Sequence, residues 1–170
     1  MIFERKHPWS DSIELFDPEL KGEGPARVSL QQASKRKGSV VKTIRVLIVD
    51  DDSKFREVIR ELLAMESDME VIGEAGNGLV AIQQAKELKP DLILMDVRMP
   101  GVSGLEVTRR LTEEMPGIKI IILTLYDLIE YREAALANGA VGYVIKKSML
   151  EDLVSEIKRA FLETIGASPG

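Results

Sequence analysis

From residue 43 onward, five short apolar runs alternate with five segments of helical period, and this alternation restricts the fold more than any other feature. The runs are Ile44–Val49, Met69–Ala75, 92–95, 118–124 and 141–145. Near-continuous apolarity, as in LILM at 92–95, is what strands buried on both faces require. Between the runs, Phe55, Val58, Ile59, Leu62 and Leu63 recur with helical spacing behind Ser53, a capping candidate. A second helix is expected over 77–88, stopped before Pro90. Met99-Pro100-Gly101 reads as a loop, after which Ser103-x-x-Glu106 opens a third helix as a capping box. A fourth spans 127–138 and closes at Gly139. Ser148-x-x-Glu151 opens the last, with Leu150, Leu153, Val154, Ile157 and Phe161 on one face. Strands alternating with helices give a parallel sheet covered on both sides. Right-handed crossovers leave few topologies. If the two acid-bearing strands are neighbours, the expected architecture is a doubly wound five-stranded α/β sheet of order 2-1-3-4-5. Its switch point then lies between strands one and three.

Those acids carry the chemistry. Asp50-Asp51-Asp52 follows the first run and Asp96 ends the third, so Asp50, Asp51 and Asp96 converge on one sheet edge. Three carboxylates so placed repel and raise one another's pKa values unless a cation intervenes. Hard oxygen ligands of this kind suit Mg²⁺, with Mn²⁺ as an alternative. Thr124 ends the fourth run with a hydroxyl, and Lys146 follows the fifth with an ammonium. A carboxylate nucleophile, a metal, a hydroxyl and a fixed cation together make a phosphoryl-transfer site, where positioning and charge neutralisation do the catalysis. Singly, each has a plainer reading: helix-capping acids, a sheet threonine, a surface lysine. Four such residues at four strand ends of one sheet favour the joint reading.

The rest of the chain says what to exclude. Residues 1–42 hold 8 Lys/Arg against 6 Asp/Glu, whereas residues 43–170 hold 15 against 22. An acidic folded part without a basic stripe argues against direct nucleic-acid binding by this chain. The Lys35-Arg36-Lys37 run reads as solvated linker charge, with a docking patch as the alternative. No apolar run is long enough to span a bilayer, no signal-peptide core opens the chain, and there is no cysteine, which together suit the cytoplasm. Residues 1–42, with three prolines and no sustained period, read as a loosely ordered extension with at most a helical turn near 11–16. It carries His7, read as a surface residue, and Trp9, a candidate anchor. The domain is expected over 43–165, with 166–170 as a tail.

With VDDD at 49–52, LMDVRMPGVSGLE at 94–106, ILTLYD at 122–127 and GYVIKK at 142–147, residues 43–164 resemble the receiver domain of bacterial two-component response regulators. TLYD and GYVIK are similar to the NarL/FixJ branch. The resemblance implies a flavodoxin-like receiver fold and a phosphorelay switch, not an enzyme beyond self-phosphorylation and self-dephosphorylation. It implies Asp96 as phosphoacceptor, and Asp51 as a direct Mg²⁺ ligand with Asp50 acting largely through water. The Arg98 backbone carbonyl is a further ligand, and Thr124 and Lys146 hold phosphoryl oxygens. Tyr143 matches the aromatic that changes rotamer on activation. Arg98 and Tyr126 flank the site and are candidates for setting the phosphate's lifetime. Implied partners are a sensor histidine kinase or phosphotransfer protein, a downstream protein at the α4–β5–α5 face, and a second copy on phosphorylation.

Three residues depart from the family pattern. Lys147 stands where proline after a cis bond is common, which leaves the Lys146–Lys147 isomer open. Leu125 replaces a small residue and narrows the approach to Asp96. Asp52 adds an acid facing a helix dipole. The branch usually continues into a helix-turn-helix domain, so the chain reads as a stand-alone receiver or as part of a DNA-binding regulator. VKTIRVLIVDD from Val41 looks like the usual opening of a receiver, so a start near 40–41 is an alternative to a docking arm; the intact mass of the native protein decides it. From the enzyme class, a haloacid-dehalogenase-like phosphatase would use Asp50-x-Asp52 but leaves LMDVRMPG unexplained, and an unphosphorylated scaffold would not need the intact acid set.

Overall fold

The computed structural model describes residues 42–165. The order is β1 (Ile44–Val49), α1 (Ser53–Ala64), β2 (Met69–Ala75), α2 (Gly78–Leu88), β3 (Leu92–Asp96), α3 (Gly104–Glu114), β4 (Lys119–Thr124), α4 (Ile129–Ala137), β5 (Gly142–Ile145), a single 3₁₀ turn (Lys146–Ser148) and α5 (Met149–Ile165). The strands are parallel in the order β2-β1-β3-β4-β5, as expected. The N-terminal extension, with His7, Trp9, the basic run and the turn near 11–16, and the tail 166–170 lie outside the described residues.

Strand alternation splits the core into two halves. Val46, Ile48, Leu92, Leu94, Ile121, Leu123 and Val144 pack with Ile59 and Leu63 of α1 and with Met149, Leu153 and Ile157 of α5. Leu47, Val49, Ile93, Met95, Ile120 and Ile122 pack with Ala81 and Ala85 of α2, Val107 and Leu111 of α3 and Ala135 of α4. Burial on both faces explains why the central strands needed uninterrupted apolar runs.

The strand ends step outward gradually from β1 to β5. Val49 pairs with Met95, Asp96 with Leu123 and Thr124 with Ile145, so Asp50, Asp96, Thr124 and Lys146 fall in one row along the carboxyl edge.

Several local expectations need correction. Asp52, not Ser53, caps α1: its carboxylate accepts the N–H groups of Lys54 (2.9 Å) and Phe55 (3.3 Å). An ionised acceptor at a helix N-terminus outcompetes a hydroxyl there. Asn77 is the cap of α2 rather than its first residue, accepting the Val80 N–H. Ser103 caps α3, but Glu106 does not complete the box, because its carboxylate is drawn to Arg109 and Arg110. Ser148 does not cap α5. It lies in the 3₁₀ turn and donates to the Ile145 carbonyl, and the helix starts at Met149. On α5 Met149 is buried, whereas Leu150 is 67% exposed and leaves the apolar face expected of it. Val58 is likewise 42% exposed, outside the narrow stripe of Ile59 and Leu63. α4 begins at Ile129, two residues later than expected, without a side-chain cap. Gly139 closes it at φ +91, a conformation a side chain rarely adopts. Every described peptide bond is trans, Lys146–Lys147 included.

Candidate functional site

The row of strand-end residues opens into a cleft of about 410 Å³ lined by Asp50, Asp51, Asp96, Arg98, Thr124 and Lys146 among others. Asp50 is wholly buried and both its oxygens are engaged. Oδ1 accepts the Asp52 N–H (2.9 Å) and Oδ2 takes the Lys146 ammonium (2.5 Å). Lys146 also reaches Asp96 Oδ1 at 3.2 Å and stands 4.3 Å from the centroid of the Phe55 ring. One cation thus bridges two buried carboxylates against an aromatic face. Asp51 is exposed at the mouth. Asp50, Asp51 and Asp96 each offer an oxygen within 4.8 Å of the others, a hard donor set that fits a divalent cation.

Burial pushes the Asp96 carboxyl up to about 6, with Lys146 pulling it down and the Asp50 and Asp51 charges pushing it further up. Thr124 is buried, and its hydroxyl accepts the Tyr126 N–H (3.2 Å). The Tyr126 carbonyl in turn accepts the Tyr143 hydroxyl (2.7 Å). A single residue's backbone therefore links the threonine to the half-buried β5 tyrosine. On the outer wall, Arg98 Nη1 donates to the Tyr126 hydroxyl (3.2 Å), with the guanidinium 5.5 Å from that ring's centroid. Leu125 lines the cleft but is 66% exposed, so its bulk stands at the rim rather than across Asp96.

A model of the response regulator receiver domain matches residues 46–158 of this chain. The chain belongs to the receiver domain family of two-component response regulators. Within this family, an uncharacterized transcriptional regulatory protein of Bacillus subtilis, YxjL, is 44% identical over 117 residues, which cover 69% of this chain and 54% of the relative. The response regulator GacA of Pseudomonas aeruginosa is 40% identical over 118 residues, covering 69% and 55%. The chain spans about half the length of the curated relatives it matches. Among solved structures, the response regulator domain of Thermotoga maritima CheB superposes with a TM-score of 0.66 at 30% identity, covering 71% of this chain and 97% of that one.

Receiver domains are signalling switches rather than classical enzymes, and they typically bind Mg²⁺ at an acidic pocket. Membership does not favour the phosphatase reading, and neither does the geometry: Asp50, its required nucleophile, has both oxygens occupied. Among the described residues, no helix is long and apolar enough to cross a membrane.

All the candidate residues of this receiver line the cleft except Tyr143, which lies behind it and is tied to the Tyr126 carbonyl. Three contributors were not singled out from sequence. Phe55 was read only as core, yet it carries the Lys146 ammonium. Arg56 donates to the Asp50 carbonyl (2.6 Å). Gly104 lets α3 start directly against the Asp96 backbone. A glycine in a helix's first turn, where it weakens the helix, was the available signal.

Proposed function

We propose that this receiver is a phosphorylation-controlled switch that accepts a phosphoryl group on Asp96 from the phosphohistidine of a sensor kinase or phosphotransfer protein. The observation that carries the reading is a buried carboxylate at the floor of an open cleft, flanked by two further acids and one bridging ammonium. An Asp96 oxygen attacks phosphorus, the P–N bond to the donor imidazole breaks, and the ring leaves with the bonding pair. Mg²⁺, held by Asp51 and Asp96 directly, by Asp50 through water and by the Arg98 backbone carbonyl, would neutralise phosphoryl charge. Mn²⁺ suits the same oxygen donors. The engagement of both Asp50 oxygens supports the water-mediated role. Lys146 and the Thr124 hydroxyl hold phosphoryl oxygens. The test is incorporation from a small acyl phosphate. Label should require Mg²⁺, fall severely in Asp51→Ala and vanish in Asp96→Asn; label that persists without the Asp96 carboxylate contradicts the assignment.

When Thr124 turns to the phosphoryl group, its bond from the Tyr126 N–H is surrendered. The shift passes through the Tyr126 backbone to Tyr143, and so to the surface of α4, β5 and α5. That surface addresses a downstream protein or a second copy. The chain works in the cytoplasm and does not itself contact nucleic acid. A second reading, favoured by the name of YxjL as a transcriptional regulatory protein, takes the chain as the receiver part of a DNA-binding regulator. DNA retention by the native protein tests it.

Hydrolysis of the aspartyl phosphate needs a water in line with the Asp96–phosphate bond. The Arg98–Tyr126 pair stands beside that path. Tyr126→Ala and Arg98→Ala should each speed phosphate loss by about 3–30-fold, or roughly 0.7–2 kcal/mol of barrier. First-order decay after donor removal measures it, and equal decay in all three proteins would assign the lifetime to other groups.

A further inference from the structure

We infer that Arg56, clamped by Glu74, is a positioning residue for the acidic pair and sets how tightly the cleft holds a divalent cation. The inference rests on the metal reading of Asp50 and Asp51 given above. Both acids sit on the short segment between β1 and the Asp52 cap, so its backbone direction decides where their carboxylates project. The Asp50 N–H is tied to the Ala75 carbonyl (3.0 Å). The Asp50 carbonyl accepts Arg56 Nη1 (2.6 Å). That carbonyl shares a rigid plane with the Asp51 N–H, so holding it orients the peptide from which the Asp51 side chain leaves.

Arg56 is itself held. Its Nε donates to Glu74 Oε2 (3.0 Å), and the other Glu74 oxygen accepts Arg60 Nη1 (2.6 Å). The guanidinium side chain is only 18% exposed, unlike a solvated helix arginine. The clamp thus runs from the ligand-bearing loop to β2, the neighbouring strand. A lysine could supply the charge but not two bonds in a fixed fork.

Charge and position predict opposite signs. A guanidinium near a cation site repels the cation, so its loss should tighten binding if charge alone matters. If positioning dominates, its loss should weaken binding.

The experiment is calorimetric titration of the full chain with MgCl₂, with thermal unfolding in chelator as a separate readout of fold. Arg56→Gln should weaken Mg²⁺ binding by about 10-fold, the scale of losing a group that orients a ligand. Arg56→Lys should recover little of this. Glu74→Gln, whose side chain meets Arg56 and Arg60 and reaches the acid-bearing segment through Arg56, should weaken binding by a smaller factor, and the double variant should be no weaker than Arg56→Gln alone. Unchanged or tighter binding in Arg56→Gln overturns the inference, as does full affinity in Glu74→Gln. Should Arg56→Gln fail to fold, Glu74→Gln decides alone. Wild-type protein that binds no Mg²⁺, or binds it equally after Asp51→Ala, fails the site reading itself and the inference with it.

Discussion

Gly104→Ala is expected to destabilise the receiver by about 3 kcal/mol or more and to displace the phosphoacceptor. A Cβ at Gly104 would lie 1.8 Å from the Asp96 carbonyl oxygen, 2.8 Å from its carbonyl carbon and 3.1 Å from Met95 Cγ. The obstacle is the backbone of β3, paired with β1 on one side and β4 on the other, so it cannot step aside as a flexible side chain would. Either α3 lifts away, losing the bond from the Gly104 N–H to the Val97 carbonyl (3.0 Å), or the Asp96 peptide rotates. Chemical denaturation of Gly104→Ala beside Gly76→Ala tests this. At Gly76 a Cβ meets nothing closer than Arg56 Nη1 at 3.7 Å, and the cost should stay under about 1 kcal/mol. Equal stability of the two variants would contradict the close approach.

Asp96→Asn and Lys146→Met should move stability in opposite directions in the absence of divalent metal. The Asp96 carboxyl titrates at about 6 in the folded protein against 3.8 ordinarily, chiefly because burial disfavours its charge. The folded state therefore binds that proton more tightly than the unfolded state. Ionised Asp96 costs stability in full above the folded value and nothing below the ordinary one. At pH 8 the neutral asparagine should relieve about 1–3 kcal/mol, a gain that fades between about pH 6 and pH 4. Lys146→Met removes the ammonium shared by Asp50 and Asp96 and leaves both acids buried beside a thioether. The expected loss is about 3 kcal/mol at pH 8, shrinking as the pH falls through the Asp96 titration. Urea denaturation at pH 8 and at about pH 4, where Asp96 is protonated in the folded protein, measures both. A destabilised Asp96→Asn would mean that the Lys146 bridge outweighs the burial cost.

Sheet order, strand identity and the acid set were legible in the chain because each rests on a pattern that solvent enforces. Runs buried on both faces must be apolar throughout, and acids at adjacent strand ends must share an edge. What was not legible depended on competition between near-equal partners. Asp52 and Ser53 could both cap α1, and the charged group won. Glu106 could reach back to its cap or forward to Arg109 and Arg110, and two guanidinium groups outbid one amide. Ser148 was drawn into the 3₁₀ turn by the Ile145 carbonyl. Arg56 was invisible for a different reason. An arginine on an amphipathic helix reads as solvent-facing, and only the path of the β1–α1 segment shows that its fork meets a loop carbonyl. Thr124 and Tyr143 were named from sequence, but their link through both ends of the Tyr126 backbone needed the structure.

The central claim is that Asp96, and no other acid of the cleft, receives the phosphoryl group. Borohydride reduction converts an aspartyl phosphate to homoserine, which marks the position in a peptide map. After phosphorylation from an acyl phosphate with Mg²⁺, the converted residue is predicted at Asp96 alone, with Asp50, Asp51 and Asp52 intact. Conversion at Asp50, or at any acid other than Asp96, would contradict the account.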